Sequence, residues 1–471
     1  MEWIARHWEI LDLVLVILGL AIYITASHTL HQRRHPSVAV AWFFGILLVP
    51  YFVLPLFLIF GIRKIRIPGV RKNRNRASVP SPEKYTTAAR CQELGEAMRL
   101  PAPVAYTHFV LHDDGTRSLD ALREIIEGAE RTLDICTYIL GHDALGSEIV
   151  ERLERRAKDG VKVRLLIDGI GAWLGGRSYL NRLKKARVET ALFVPLFGSS
   201  LHGRTNLRNH RKMVIADNTR LWCGGRNLAA EYFEGDPRSF LKRRPWADLS
   251  FELRGEVARQ AGRQFEYDWR FATENSVPAD LPFSAEESPR MKERKYAQLV
   301  ASGPDNPDDT IATLLISACF TSQRRILIVT PYFVPDFSLL TSLSLAARRG
   351  IEVDLVIPAH SNHGLADQAR HRLLRELAAS GGRVWLFPRM IHAKAVVVDD
   401  ELALSGSANI DGRSLYLNYE MMIAFYDRET VQKFAAWVEA RRAESQAYVA
   451  RAPGFLRELQ EGLILWLAFQ L

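Results

Sequence analysis

Apolar positions follow distinct patterns along the chain. Residues 10–26 are apolar except for Asp12 and Thr25, and residues 38–62 form a longer apolar run. At about 1.5 Å per residue, both can cross a hydrocarbon core of about 30 Å. The connection, residues 27–37, is short. The pair therefore reads as an N-terminal two-helix transmembrane hairpin, with Pro50 and Pro55 kinking or breaking the second helix. Glu2 and Glu9 offset Arg6 ahead of the first run, which argues against a cleaved signal peptide. After residue 82 the apolar runs shorten. Residues 132–139 and 325–333 read as strands, residues 144–158 and 338–349 as helices, and the stretches opening at Gly160 and Gly350 as further strands. Strand, helix, strand, twice over, predicts an α/β fold on largely parallel strands. Helices are also expected over residues 255–273 and 428–450.

A polar constellation is embedded twice in this pattern. His210, Lys212, Asp217, Gly224, Gly225 and Asn227 recur 182 residues later as His392, Lys394, Asp399, Gly406, Ser407 and Asn409. Residues 213–216 and 395–398 read as buried strands. Residues two apart on a strand share a face, so each His points with its Lys. Asp217 and Asp399 lie about 20 Å further along and fit a hairpin turn better than a contact with the imidazole. Each return strand brings Asn227 or Asn409 back beside the His-Lys face. The duplication predicts two α/β halves with pseudo-two-fold symmetry and one shared site.

Two His, two Lys and two Asn around one point suit a phosphodiester. One imidazole can attack phosphorus while the other protonates the leaving oxygen. Lys212, Asn227, Lys394 and Asn409 can hold the non-bridging oxygens. The scheme requires neither a metal nor a cofactor. A catalytic imidazole needs its tautomer fixed, usually by a carboxylate. Asp248 and Glu420, 21 and 11 positions after the Asn residues, are the candidates. The longer spacing implies an insertion within residues 234–245. Arg208 and Arg211 flank His210, whereas Ile391 and Ala393 flank His392. Nearby cations favour a neutral imidazole, so His210 is expected as nucleophile and His392 as general acid.

These motifs resemble the signature of the phospholipase D superfamily, HxKxxxxD followed by GGxN or GSxN. The flanking RNHRK, GGRNLAAEYF, HAK and SANIDGRSLYLNYE narrow the resemblance to bacterial cardiolipin synthases, over nearly the whole chain. It implies two phospholipase D-like halves and phosphatidyl transfer between two phosphatidylglycerols through a phosphohistidine. As site residues it implies His210, Lys212, Asp217, His392, Lys394 and Asp399, with Asp248 and Glu420 each supporting the adjacent histidine. The alternatives are a phospholipase D-type hydrolase or a transferase to another alcohol, a membrane-anchored nuclease, and a non-enzymatic lipid-binding scaffold. His371 and Arg372 stand where aromatic residues are expected in the family, which leaves the second headgroup open.

Charge and cysteines bear on partners and place. A net charge of +9 over 471 residues suits a polyanion. The apolar hairpin favours phosphatidylglycerol in a membrane over nucleic acid, for which no aromatic-basic platform is present. Cys91, Cys136, Cys223 and Cys319 are dispersed and read as core residues in a reducing compartment. Seven Lys and Arg residues between positions 63 and 76 put the soluble part on the cytoplasmic side of a bacterial inner membrane. The expected organisation is a hairpin and basic linker (1–80), a first half (81–275), a linker (276–296), and a second half (297–471). The second half ends in an apolar tail too short to span a bilayer. No oligomeric state is legible.

Overall fold

The computed structural model describes residues 2–29, 36–61, 86–195, 206–235, 245–274 and 295–468. Seven strands come from the first half: β1 Val104–His112, β2 Thr132–Thr137, β3 Lys162–Asp168, β4 Glu189–Phe193, β5 Met213–Ala216, β6 Arg220–Gly224 and β7 Ser250–Gly255. Seven in the second half correspond to them: β8 Tyr296–Ser302, β9 Arg325–Val329, β10 Glu352–Pro358, β11 Arg383–Phe387, β12 Ala395–Val398, β13 Leu402–Gly406 and β14 Glu420–Phe425; the short strand Gln446–Ala447 adds an antiparallel edge beyond β11. In space the first set runs β4-β3-β2-β5-β6-β7-β1 and the second β11-β10-β9-β12-β13-β14-β8. A shift of seven strands maps one order onto the other, so the duplicated sequence folds as duplicated half-sheets. They join into one sheet where β1 pairs with β8, Val104 opposite Ala297 and Ala105 opposite Tyr296.

The sheet is less parallel than expected. Within it, β2-β3-β4 and β9-β10-β11 are parallel, and the remaining pairings between these strands are antiparallel. Parallel neighbours need a crossover, whereas a tight turn returns the chain antiparallel. The two motif hairpins are such turns. β5 and β12 are buried throughout because the sheet is covered on both faces. Helices Glu256–Glu274 and Arg428–Ala443 cover one face over a core that both halves share, including Phe251, Phe265, Phe425 and Phe434. On the other face each half has its own core. All four cysteines are buried, as expected of core residues.

One segment crosses the expected domain boundary. Helix α4 (Thr87–Ala97; α1 to α3 are given below) buries Thr87, Cys91 and Gly95, four residues apart and so on one face. Cys91 lies in the second half's core with Val300, Leu315 and Cys319. The Ala88 N–H donates to Glu401 Oε2 at 3.4 Å. Sequence order assigns this helix to the first half; packing assigns it to the second.

Among the described residues no helix is long and apolar enough to cross a membrane, so the expected two-span hairpin is not supported. The N-terminal segment forms α1 (Glu2–Thr29), α2 (Pro36–Leu48) and α3 (Pro50–Phe60). The second apolar run is divided at Val49, because Pro50 has no N–H to continue the ladder and its fixed φ suits the first position of a new helix. Pro55 lies within α3 without ending it. The three helices meet around Tyr23, Ile46 and Phe57, and leave Leu13, Val14, Ile17, Ile24 and Phe52 exposed. The basic run at 63–76 lies outside the described residues, as do most of the insertion and of the 276–296 linker. At the other terminus, helix Phe455–Ala468 packs along Gly364–Ala379, with Arg375 paired to Glu461.

Candidate active site

The two motif hairpins, β5-β6 and β12-β13, are fastened at the turn end by the motif aspartates. Both Asp217 and Asp399 have φ of +54°. Asp217 accepts from the backbone N–H groups of Glu130, Arg131 and Thr132 at 2.9, 2.7 and 2.8 Å. Asp399 does the same with Gln323, Arg324 and Arg325 at 3.0, 2.8 and 3.0 Å. Each carboxylate clips its turn to the start of β2 or β9, at the far end of the hairpin from its histidine. The inclusion of Asp217 and Asp399 in the catalytic set is therefore corrected: they hold the strands and do not reach the imidazoles.

At the other end the halves exchange backbone hydrogen bonds. Tyr419 N–H donates to Arg208 O at 2.8 Å and His210 N–H to Tyr419 O at 2.9 Å; Ala247 N–H donates to Met390 O at 3.0 Å and His392 N–H to Ala247 O at 2.7 Å. This crossing carries each carboxylate to the histidine of the opposite half. His392 Nδ1 is 2.8 Å from Asp248 Oδ2, and His210 Nδ1 is 3.3 Å from Glu420 Oε1. The expectation that each acid supports its own motif's histidine is corrected, and the site is complete only when both halves are present. A proton on Nδ1 facing a carboxylate leaves the Nε2 lone pair for chemistry.

The small residues of the motif follow from this geometry. A Cβ at Gly225 would come within 2.2 Å of Asp248 Oδ1. In the second half the matching position is Ser407, whose Oγ donates to Glu420 Oε2 at 2.5 Å. Asp248 receives the backbone N–H of Leu249 at 2.7 Å instead.

Both lysines are buried, 4% and 3% exposed for Lys212 and Lys394. Lys212 Nζ donates to His210 O at 2.7 Å, and Lys394 Nζ lies 2.9 Å from His392 Nε2. Burial pulls the pKa of Lys212 below its ordinary value. It brings Lys394 to about 7, with Asp248 opposing and Lys212 adding to the fall. Burial, then the Lys394 charge, lowers His392 to about 4. Burial raises Asp248 and Glu420, but the hydrogen-bonded histidine and the nearby lysine charge outweigh it and both end lowered. Asn227 gives its amide N–H to Tyr232 Oη at 2.8 Å. The side-chain oxygens of Asn227 and Asn409 are buried without a hydrogen-bond partner among the described residues.

The arginines expected to keep His210 neutral are engaged elsewhere. Arg208 pairs with Asp168 at 3.2 Å. Arg211 pairs with Asp268 and donates to Glu420 O and Ser302 O at 3.1 and 2.9 Å. Burial and the Lys394 charge hold His392 neutral in the free protein, so the residues flanking the two imidazoles do not rank them as nucleophile and acid.

Several neighbours were not singled out from sequence. The Tyr138 ring centroid is 4.3 Å from that of His210. Tyr232 and Trp246 stand 5.0 and 5.6 Å from His392. Asn418 Nδ2 lies 3.2 Å from His210 Nδ1 and donates to Glu420 at 3.2 Å. Asp168, buried, accepts the Asn209 N–H at 2.9 Å and so fixes the strand entry to His210. Two signals were available: Tyr138 and Tyr332 end matching strands, and Trp246 and Asn418 precede the supporting acids by two residues.

Among the described residues no group of three or more His, Cys, Asp or Glu is placed to hold a metal ion. The family described as "Cardiolipin synthase, PLD-like domain" matches residues 122–269 and 315–442. The chain is 32% identical over 432 residues to cardiolipin synthase A of Pseudomonas putida (strain W619), 88% of each chain being covered. It is 28% identical to the cardiolipin synthase of Halalkalibacterium halodurans, over 91% of this chain and 86% of the other. The fold also matches a crystal structure of phosphatidylserine synthase from Haemophilus influenzae, with a TM-score of 0.64 at 14% identity, over 82% of this chain and 100% of that one.

Proposed function

Because the chain belongs to the cardiolipin synthase family of phospholipase D-like proteins, we propose that it condenses two phosphatidylglycerols into cardiolipin and glycerol. The observation that carries this reading is the convergence of two His-Lys pairs, each imidazole backed by a carboxylate of the opposite half. Nε2 of one imidazole attacks the phosphorus of the first lipid. An N–P bond forms, the P–O bond to glycerol breaks, and the other imidazolium gives its proton to the departing oxygen. The terminal hydroxyl of a second phosphatidylglycerol then returns a proton to that imidazole as its oxygen attacks phosphorus and the N–P bond breaks. Lys212 and Lys394 neutralise the charge that grows on the non-bridging oxygens. Asp248 and Glu420 hold the imidazoles in the useful tautomer.

The exposed apolar side chains of α1 to α3 support a location in or on the membrane, and the basic run after them supports a cytoplasmic catalytic part. Incubation of purified protein with phosphatidylglycerol and a chelator tests the reaction. Cardiolipin and glycerol should form in equal amounts. Phosphatidic acid as the sole product would make the protein a hydrolase, and activity only after metal is restored would refute the scheme.

A further inference from the structure

Four large apolar side chains stand in solvent around the mouth of the site. Trp173 and Leu174 follow β3, Phe337 follows β9, and Leu365 follows β10; their exposures are 63, 56, 70 and 53%. β2 and β3 are parallel, as are β9 and β10, so these loops leave the sheet at the end where the histidines sit. The loop backbone lies against the site itself. A Cβ at Gly171 would come within 1.5 Å of Tyr138 O, and one at Gly175 within 2.5 Å of Leu140 O. Between these two anchors the chain widens into a π-turn, Ala172–Gly176, which presents Trp173 and Leu174 outward. On the opposite side the Tyr332 hydroxyl donates to Asn362 Oδ1 at 2.6 Å, and its ring lies 5.9 Å from that of His363, which fixes the residues just before Leu365. Exposed Arg177 follows Trp173 by one helical turn, and exposed Arg372 follows Leu365 by two, so each cation shares a face with an apolar rim residue.

We propose that this rim is a bilayer-docking surface, with Trp173, Leu174, Phe337 and Leu365 entering the boundary between headgroups and acyl chains of an anionic membrane. Arg177 and Arg372 lie among the headgroups. The inference rests on the phosphatidyl-transfer reading. A two-chain lipid stays anchored by its tails, so its phosphodiester must be met at the membrane surface. Apolar side chains on both sides of the mouth, each with a nearby cation, match a planar anionic surface in shape and charge. Tryptophan favours that interface.

The four native cysteines are buried, so introduced ones can be labelled selectively. The full chain carrying a fluorophore at Leu174→Cys or Leu365→Cys is reconstituted into phosphatidylglycerol vesicles containing lipid spin-labelled near the top of the acyl chain. Lys158→Cys, exposed at the opposite end of the sheet, is the control. The rim labels should be quenched and the control not. Equal quenching at all three positions, or rim emission that changes with protein concentration and not with quencher, overturns the proposal; the latter would mark a contact between copies. As a second measurement, the Trp173→Ser, Leu174→Ser, Phe337→Ser, Leu365→Ser quadruple variant should lose about tenfold or more in kcat/KM on vesicles. On short-chain phosphatidylglycerol below its micelle concentration it should stay within about twofold of wild type. An equal loss on both overturns it. If wild type transfers phosphatidyl groups on neither substrate form, the activity reading fails while the quenching result stands by itself.

Discussion

His392 Nδ1 and Asp248 Oδ2 lie 2.8 Å apart although 144 residues separate them and each belongs to a different half. The mirror pair, His210 and Glu420, crosses the other way. Neither half carries a carboxylate-supported imidazole by itself, so the duplicated site is built as one unit.

The crossing makes a specific prediction. Asp248→Asn should change the NMR signals and tautomer of His392 and leave those of His210, while Glu420→Gln should do the reverse. Each should lower kcat by about 10²–10⁴-fold with the fold retained. A response in the histidine of the same half would contradict the geometry.

Asp217→Asn should act on stability. Three backbone donors lose a charged acceptor, at a cost of about 1 kcal/mol, near the low end because the group is partly solvated. Burial raises the Asp217 pKa, but the three N–H groups outweigh it and the net is lowered. A depressed carboxylate contributes stability that is present above its unfolded value and is lost as pH falls through the folded one. The variant should therefore melt lower at pH 7, the difference should shrink in acid, and turnover per folded molecule should be unchanged. A folded but inactive Asp217→Asn protein would restore a catalytic role.

Lys394, at about 7, should give a pH-dependent KM. Its ammonium is lost as pH rises through that value, and an anionic lipid binds the charged form. KM should then rise above pH 7 by up to about tenfold per pH unit. Lys394→Met should show a high KM without this slope. The sign for folding is opposite. The unfolded chain keeps the proton up to about 10.4, so this group's contribution to stability increases between pH 7 and that value. A flat wild-type KM between pH 6 and 9 would contradict the assignment.

Gly225→Ala should misplace Asp248, whose Oδ1 lies 2.2 Å from the added Cβ. Turnover should fall about 10²-fold, as for an ångström-scale misplacement. Ser407→Gly adds no atoms and removes one hydrogen bond to Glu420, so it should cost less. The reverse order would count against the role given to Gly225.

Much of this was legible because the repeat is preserved position by position. β5 and β12 span the residues read as buried strands, and Asp217 sits in its turn with positive φ. Periodicity is a local property and reports such elements well. Which half supplies the acid to which histidine depends on Arg208 pairing with Tyr419 across the interface, a contact that leaves no local pattern. The arginines misled for a related reason: adjacency in sequence put Arg211 near His210, but alternation along an extended chain sends its side chain to Asp268. Helix α4 precedes β1 in the chain and so falls within the first half's bounds, but position along the chain does not say which half a helix packs against.

The central claim is a double displacement at phosphorus through a histidine adduct. Stereochemistry tests it most directly. Phosphatidylglycerol made chiral at phosphorus with oxygen isotopes is converted by the purified protein, and the configuration of the new diester is determined. Two in-line displacements, each inverting, predict net retention. Net inversion would mean direct attack by the second lipid, with no phosphohistidine and no nucleophilic role for either His210 or His392.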